Sequence, residues 1–445
     1  MSYKRAHQGQ VRHQSKLNSN AETTSKVVRL SIHDMTHDGR GVAKLDGKTV
    51  FVTGALTDEL VDAQIVHKKS QYFEAKSVSV IEPSQHRIVP ACAHFSVCGG
   101  CQLQHLSVDN QVAFKQNQLA RSLVKASINT DKTEWHSPLT GEAWQYRRRA
   151  RWALNRQGDL CFRSAGGKYL VPIHTCPQLS QPLSDCFVQL REALPKLPHQ
   201  GIDEIECLAI GSLSLVLHTN QQWRDHHLTH WQKWCEQMGI TGLAIQTPDR
   251  SKGLSVISDA NLHYQLSGLN FHFSPDQFVQ THANVNQQMV SLAKDWLAAG
   301  ADDQVLELFC GMGNFSLPIA QSAGSLLGLE LNEQSVATAK ANAVSNGIEN
   351  TTFAQVDLFA PDWRPPSGLA HVLLDPPWDG AQVVCERVAK QKSIKRVVYV
   401  SCHPATMTRD MAVLQKAGFK LSKMALIDQF PQSYHVEAIA LLVRA

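Results

Sequence analysis

The sequence predicts an α/β protein: a doubly wound parallel-sheet domain at the C-terminal end, a small β-barrel near the N-terminus, and a β-rich segment between them. Three patterns carry this. From about residue 285 strands and helices alternate: "QVLELF", "SLLGLEL", a helix over 333–346, "TTFAQVD", "HVLLDPP", "RVVYVSC" and a helix over 405–417, closed by "KMALIDQF" and "EAIALLVRA". That alternation is the mark of a doubly wound sheet with a terminal strand pair. Over 26–82, five short β-branched segments are punctuated by Gly39, Gly41, Gly47 and Gly54, as in a small barrel. Over 140–275, runs such as "LAIGSLSLVLHT" and "LHYQLSGLNFHFS" predict a mostly β insert.

The boundaries follow from these shifts. Residues 1–25 are polar, aperiodic and basic, and read as a disordered tail. The barrel takes 26–84, a central domain 85–275 and the doubly wound domain 276–445. Apolar spacing over 106–127 is helical, and this helix is expected to pack on the C-terminal domain.

No apolar run is long enough to span a bilayer, and the N-terminus lacks the apolar core of a secretory signal. A cytoplasmic protein is expected. Its 11 cysteines then point to metal binding or chemistry rather than a disulfide scaffold. The net charge of +4 conceals basic stretches at 1–26 and 147–168 ("RRRARWALNRQGDLCFRSAGGK") on an otherwise acidic chain. This is the footprint of a nucleic-acid partner or of a solvated basic face.

"VLELFCGMGNFSLPIA", 305–320, is a strand, a glycine turn and a helix, without the third glycine of a dinucleotide fingerprint. Glu330 ends the next strand, 19 residues after Gly311, and can accept hydrogen bonds from both ribose hydroxyls. Asp357, after the third strand, is placed to face an adenine amino group. A glycine turn with two acids and no phosphate-binding lysine suits S-adenosylmethionine, which has a positive sulfonium and no phosphate. The alternative is an ordinary tight strand–helix turn.

Two motifs disagree about what would be methylated. "LLDPPWDG", 373–380, resembles the Asp-Pro-Pro-aromatic loop that holds an amino group. "VSCHPATMTRD", 400–410, places Cys402 where a strand becomes a helix, with Pro404 suited to the first helical position. The helix N-terminus is expected to lower the thiol pKa. A thiolate adding at C6 of uracil would make C5 nucleophilic, and Glu437, opening the last strand, is a candidate base for the C5 proton. The competing readings are a buried structural thiol and a solvated acid. Trp378 either stacks on a base or packs.

"CAHFSVCGGC" supplies Cys92, Cys98 and Cys101, with Cys176 in "HTCPQL" as a fourth thiol. Four thiolates can hold a 4Fe–4S cluster or a zinc ion.

Taken in order, "GRGVAKLDGKTVFVTGALTDELVDAQI", "CAHFSVCGGCQLQHL", "YRRRAR", "FVQTHANVNQQMV", "LELFCGMGNFSLPIA", "SCHPATMTRD" and "HVEAIALL" resemble the bacterial uracil-C5 RNA methyltransferases, and among them the TRAM-containing class I enzymes of 23S rRNA. The resemblance covers nearly all of the chain after residue 25. It implies a Rossmann-like class I methyltransferase domain, an N-terminal OB-like TRAM β-barrel that binds RNA, and a β-rich central iron–sulfur domain. It implies Cys402 as nucleophile and Glu437 as proton acceptor. Gln280, Phe309, Asn314, Glu330, Asp357 and Asp375 would form the S-adenosylmethionine and target-base pocket, and Cys92, Cys98, Cys101 and Cys176 would bind a 4Fe–4S cluster. The implied partner is 23S ribosomal RNA, with no membrane or protein partner and a monomeric state. The chain departs from the family pattern at Trp378, Asp379, His403, His282 and Asn284. With the thiol and Glu437 both present, the expected reaction is C5 methylation of one uridine. The alternatives are an amino-directed nucleic-acid methyltransferase and a non-catalytic, metal-containing RNA-binding protein.

Overall fold

The structure, a computed structural model, describes residues 26–223, 225–249 and 253–444. The expected basic tail, 1–25, lies outside the described residues. The described chain forms two compact units, 26–36 with 40–84, and 37–39 with 85–444.

The first unit has six strands rather than five: β1 (Val27–Ser31), β2 (Asp34–Met35), β3 (Gly41–Leu45), β4 (Lys48–Thr53), β5 (Leu60–Lys68) and β6 (Tyr72–Glu82). They pair in the order β1-β5-β6-β4-β3-β2. Among the described residues no pairing joins β1 to β2, so the hydrogen-bonded ladder is an open sheet, not the closed barrel expected. β2 is only two residues long, and the chain between β1 and β2 bonds to β3 at a single point, His33 N to Val42 O (3.0 Å). Three register shifts between β5 and β6 add the bending that bulges impose. The inward residues Val50, Val52, Val61 and Ala63 form this unit's own core.

The second unit opens with α1 (Val108–Lys125) and the two-residue β7 (Glu134–Trp135). Strands β8 (Arg149–Leu154), β9 (Leu160–Arg163) and β10 (Leu170–Pro172) follow, then α2 (Gln181–Ala193), β11 (Ile202–Ile210), β12 (Ser212–Thr219), α3 (Asp225–Gln237), β13 (Gly242–Gln246) and β14 (Leu254–Ser258). The strands form one mainly antiparallel sheet, β10-β9-β8-β11-β12-β13-β14, and Trp152, Phe187 and Trp231 fill its core. A hairpin, β15 (His263–Leu266) and β16 (Leu269–His272), leads onward.

The remainder is doubly wound: α4 (Ala283–Leu297), β17 (Gln304–Leu308), α5 (Ser316–Ala320), β18 (Ser325–Glu330), α6 (Glu333–Ser345), β19 (Thr351–Gln355), β20 (His371–Leu374), α7 (Gln382–Lys390), β21 (Arg396–Ser401), α8 (Pro404–Lys416), β22 (Lys420–Ile427) and β23 (Glu437–Val443). The sheet order is β19-β18-β17-β20-β21-β23-β22-β7, parallel from β19 to β21 and antiparallel at β23. Strands covered on both faces read as continuous apolar runs, and β20 is buried throughout. Local signals set the helix ends. Asn332 caps α6 by accepting from Ser335 N (2.8 Å), and Pro404 opens α8. On α1, Lys115 is fully buried, with Nζ 2.6 Å from Asp428 and 2.8 Å from Phe430 O.

Candidate active site

In open α/β sheets the carboxyl ends of the strands form the ligand crevice, and most of the expected site residues stand there. Phe309 and Gly311 follow β17, Glu330 ends β18, Asp357 follows β19, Asp375 follows β20 and Cys402 follows β21. Glu437 joins them because β23 runs antiparallel. Ser401 pairs with Ala438, so Cys402, which follows β21, and Glu437, which opens β23, come to the same end of the sheet.

At the glycine turn, Gly311 adopts φ +54, and a Cβ there would meet nothing within 4 Å. The turn therefore leaves room for a ligand against its backbone. Glu330 is aimed at it, accepting from Gly311 N (3.1 Å) and Asn332 N (2.9 Å). Phe309 holds φ +65, unusual for a bulky residue. Its ring stands 5.8 Å from Phe359, whose N–H donates to Asp357 Oδ1 (2.9 Å). The open turn and two oriented acids fit a neutral or cationic nucleoside.

Asn314 and Gln280 are more heavily engaged than their motifs suggested. Asn314 exchanges hydrogen bonds with Asn286 (2.9 and 3.0 Å) and accepts from Tyr264 (3.0 Å). Gln280 Oε1 accepts from the buried Gln429 (3.2 Å). His282 caps α4 and stacks on Tyr146 at 4.8 Å, while Asn284 Nδ2 reaches Glu142 (3.4 Å).

The groups gathered at the strand ends share a partly buried, acidic environment. Burial pushes Asp375 up to about 7. Burial, with Asp375 nearby, pushes Glu437 up to about 8, while Lys115 pulls the other way. The Cys402 thiol rises to about 12, first by burial and then by the charges of Glu437 and Asp375. This overturns the expected lowering. The helix N-terminus is present, but its partial charge acts in a site that is partly dry and lined by carboxyls.

Sequence reasoning missed Glu307. It is fully buried in β17, accepts from Ser316 Oγ, and is raised to about 8, chiefly by burial. An acid in the middle of "VLELF" was the available signal. Lys115 and Asp428 were missed too.

Cys92, Cys98, Cys101 and Cys176 line one cavity of about 870 Å³, together with Cys402 and Glu437. Burial raises Cys98 and Cys176 and pushes Cys101 up to about 12. Gly100 N donates to Cys98 Sγ (3.4 Å), and a Cβ on Gly99 would lie 2.8 Å from Ser164 O. The donor set suits a thiolate-bound center in its chemistry. Its arrangement does not yet match: among the described residues no three His, Cys, Asp or Glu are grouped as a metal site.

The basic stretch also differs from expectation. Arg149 donates to Glu206 (2.6 Å), Gln277 O (2.6 Å) and Pro275 O (2.9 Å). Arg151 donates to Glu206 (2.6 Å), and Arg163 to Glu204 (3.0 Å). Burial opposes the Glu206 charge, yet hydrogen bonds from His218 and Arg149 and the nearby arginines hold it down to about 2. Much of this stretch is thus neutralised within the fold.

Comparison with known proteins places this geometry in a lineage. The TRAM domain model matches residues 22–78. A relative from Pseudomonas fluorescens (strain Pf0-1), named 23S rRNA (uracil(1939)-C(5))-methyltransferase RlmD, is 39% identical over 94% of this chain and 92% of its own. One of the same name from Shewanella sediminis is 36% identical over 96% and 98%. Among solved structures, the Pyrococcus abyssi tRNA (uracil-54, C5)-methyltransferase in complex with S-adenosyl-L-homocysteine aligns with a TM-score of 0.73 at 20% identity, covering 94% of this chain and 100% of that one, which establishes the shared fold. The family model of the tRNA (Uracil-5-)-methyltransferases matches residues 108–358 and 367–445, and with relatives this similar the chain belongs to that family.

Proposed function

We propose that this chain is an S-adenosylmethionine-dependent RNA (uracil-5-)-methyltransferase that acts on C5 of a uridine in 23S rRNA. The relatives' names give the position as 1939. The observation that carries the reading is the placement of Cys402 and Glu437 side by side at the strand ends, with Asp375 next to them. Amino-directed methylation needs no such thiol.

When bound, S-adenosylmethionine would supply an electrophilic methyl group, its S–CH3 bond breaking to leave the neutral thioether S-adenosylhomocysteine. Glu330 and the open backbone at Gly311 hold the nucleoside part, with Asp357 and Phe309 beside it. Cys402 Sγ reacts as the thiolate, its proton having passed to solvent: it bonds to C6 of a uridine splayed out of its stack, and the C5–C6 π electrons move onto C5 and O4. After C5 gains the methyl, Glu437 takes the C5 proton. The C–H electrons rebuild the C5–C6 double bond and expel the thiolate. A base raised to about 8 by burial suits that step near neutral pH.

The first unit, matched by the TRAM model, is read as an RNA grip, with 85–275 as a central domain and 276–445 as the chemical one. The four cavity thiols are read as ligands of a 4Fe–4S cluster, supported by the family resemblance and by their common cavity. Broad visible absorption with matching iron and sulfide, lost in Cys98→Ala, tests the cluster. No described helix is long and apolar enough to cross a membrane, and work on ribosomal RNA fits a cytoplasmic location.

Tritium release tests the reaction. With 23S rRNA tritiated at uracil C5, wild type plus S-adenosylmethionine is expected to release tritium to water, and Cys402→Ala to release none. Methyl transfer without release would place the chemistry on nitrogen or ribose.

A further inference from the structure

Arg148 is the middle of the three consecutive arginines in "YRRRAR". Two of its neighbours are answered by an acid: Arg149 and Arg151 each reach Glu206 at 2.6 Å. Arg148 is half-buried and is not answered in this way. Burial lowers its pKa, and the group acting the other way is not a carboxylate but the Tyr264 hydroxyl, which burial keeps protonated. Its Nη2 donates to Gln280 O (3.3 Å), and its Nε is buried without a partner. A guanidinium withdrawn from water with no counter-charge is costly, so the fold is holding a cation for something negative.

The surroundings of Arg148 lead to the glycine turn. Tyr264 donates to Asn314 (3.0 Å), the residue that follows Gly313. Gln280 comes two residues before His282, the N-cap of α4, and the first turn of α4 carries no acid and no side-chain cap. The sheet order then lays out the methyl donor. Asp357 follows β19, Glu330 ends β18, the glycine turn follows β17, and Asp375 and Cys402 follow β20 and β21. With the adenosine on Asp357 and Glu330 and the methyl directed toward Cys402, the methionyl chain is left at the glycine turn. S-adenosylmethionine carries two positive groups, the sulfonium and the ammonium, and one negative group, the α-carboxylate. The acids at the strand ends suit the two cations and not the carboxylate. Arg148 has the opposite charge and a guanidinium fork that matches a carboxylate.

We infer that Arg148 binds the α-carboxylate of S-adenosylmethionine, beside the glycine turn and the start of α4. The inference rests on the methyl-donor reading above and adds to it the residue that recognises the methionyl end.

The experiment is a binding cycle read by calorimetry. The two ligands are S-adenosylhomocysteine and its decarboxylated analogue, which keeps the adenosine, the thioether and the amine. Wild type is expected to bind the carboxylate-bearing ligand about 10- to 150-fold more tightly, the worth of a hydrogen bond to a charged group. Arg148→Gln can still donate to Gln280 O but has no charge, and its preference should fall to a few-fold. A purely structural role would leave the preference unmoved in that variant. Arg148→Lys keeps the charge without the fork and should lie between the two; it carries the test if the glutamine variant does not fold. Melting without ligand checks the fold, and loss of an unanswered charge should not lower the midpoint. A variant with the wild-type preference overturns the inference, as does a wild type with none. Weakened binding of 23S rRNA in Arg148→Gln with the preference intact would give the guanidinium to a phosphate and overturn it too. Wild type that binds neither compound refutes the methyl-donor reading itself, whereas tight S-adenosylhomocysteine binding with an unmoved preference refutes the role of Arg148 alone.

Discussion

Cys402 and Glu437 are brought together by strand register: they flank the Ser401–Ala438 pair of β21 and β23. The pairing puts a carboxyl beside a thiol, and after burial the Glu437 charge is the next cause that raises the Cys402 pKa. In the ligand-free protein Cys402 is therefore expected to alkylate slowly with iodoacetamide up to about pH 9, despite its place at a helix start. Glu437→Gln removes one nearby charge and should speed Cys402 alkylation several-fold at that pH. Burial remains the larger cause, so the variant thiol should still react more slowly than a free cysteine. Peptide mapping of Cys402 after timed quenching reads this, and equal rates in variant and wild type would mean the carboxyl does not act on the thiol.

Glu307 gives a stability prediction with a definite sign. Its folded pKa is raised to about 8 from an ordinary 4.5. The folded state then holds the proton more tightly than the unfolded chain. Its stabilising contribution is complete below about pH 4.5 and is lost as pH rises through about 8. Thermal stability should fall across that window, by a few kcal/mol from this group as an order of magnitude. Glu307→Gln keeps a partner for Ser316 and cannot ionise, so its melting temperature should vary less with pH over the same range. Parallel curves for the two proteins would refute the assignment.

Much of the site was legible because its residue types carry distinctive chemistry. A glycine turn after an apolar strand, a thiol before Pro404 and an acid opening the last strand need little context. What was not legible depended on partners distant in sequence. The Cys402 pKa is set by burial and by carboxyls from other strands, so a local helix argument gave the wrong direction. Arg149 and Arg151 read as a basic face because Glu204 and Glu206 lie on β11, and only the β8–β11 register (Glu206 opposite Arg151) brings them together. β2 is two residues long, which a run of β-branched residues does not reveal. Lys115 could have been found: Gln111, Lys115, Leu119 and Leu123 form the buried stripe of α1 at four-residue spacing.

Arg147 and Arg149 should separate RNA contact from folding. Arg149 spends its guanidinium on Glu206 and two backbone carbonyls. Arg149→Glu would set a second carboxylate beside a buried one and is expected to cost about 2–3 kcal/mol. That is less than the roughly 3–5 for a fully buried pair, because Arg149 is partly exposed. Arg147 lines the cavity that holds Cys402, so Arg147→Glu should weaken RNA binding and leave urea unfolding near wild type. Equal loss of stability in both variants would count against the distinction.

The Lys115–Asp428 pair fixes the loop that leads into Glu437. Lys115 also bonds to Phe430 O, and Gln111 exchanges hydrogen bonds with Gln432 (2.8 and 2.9 Å). Lys115→Met leaves Asp428 buried without its cation, and roughly 3–5 kcal/mol of stability should be lost. Changing both residues, Lys115→Met with Asp428→Leu, removes the uncompensated charge and should recover part of that loss. The double variant should also differ from wild type in activity. Lys115 lowers the Glu437 pKa more than Asp428 raises it, so the double variant, lacking both, should need a higher pH than wild type to reach half-maximal tritium release. Recovered stability with an unchanged pH profile would make the pair a purely structural anchor, whereas a profile moved to higher pH would tie α1 to the base that takes the C5 proton.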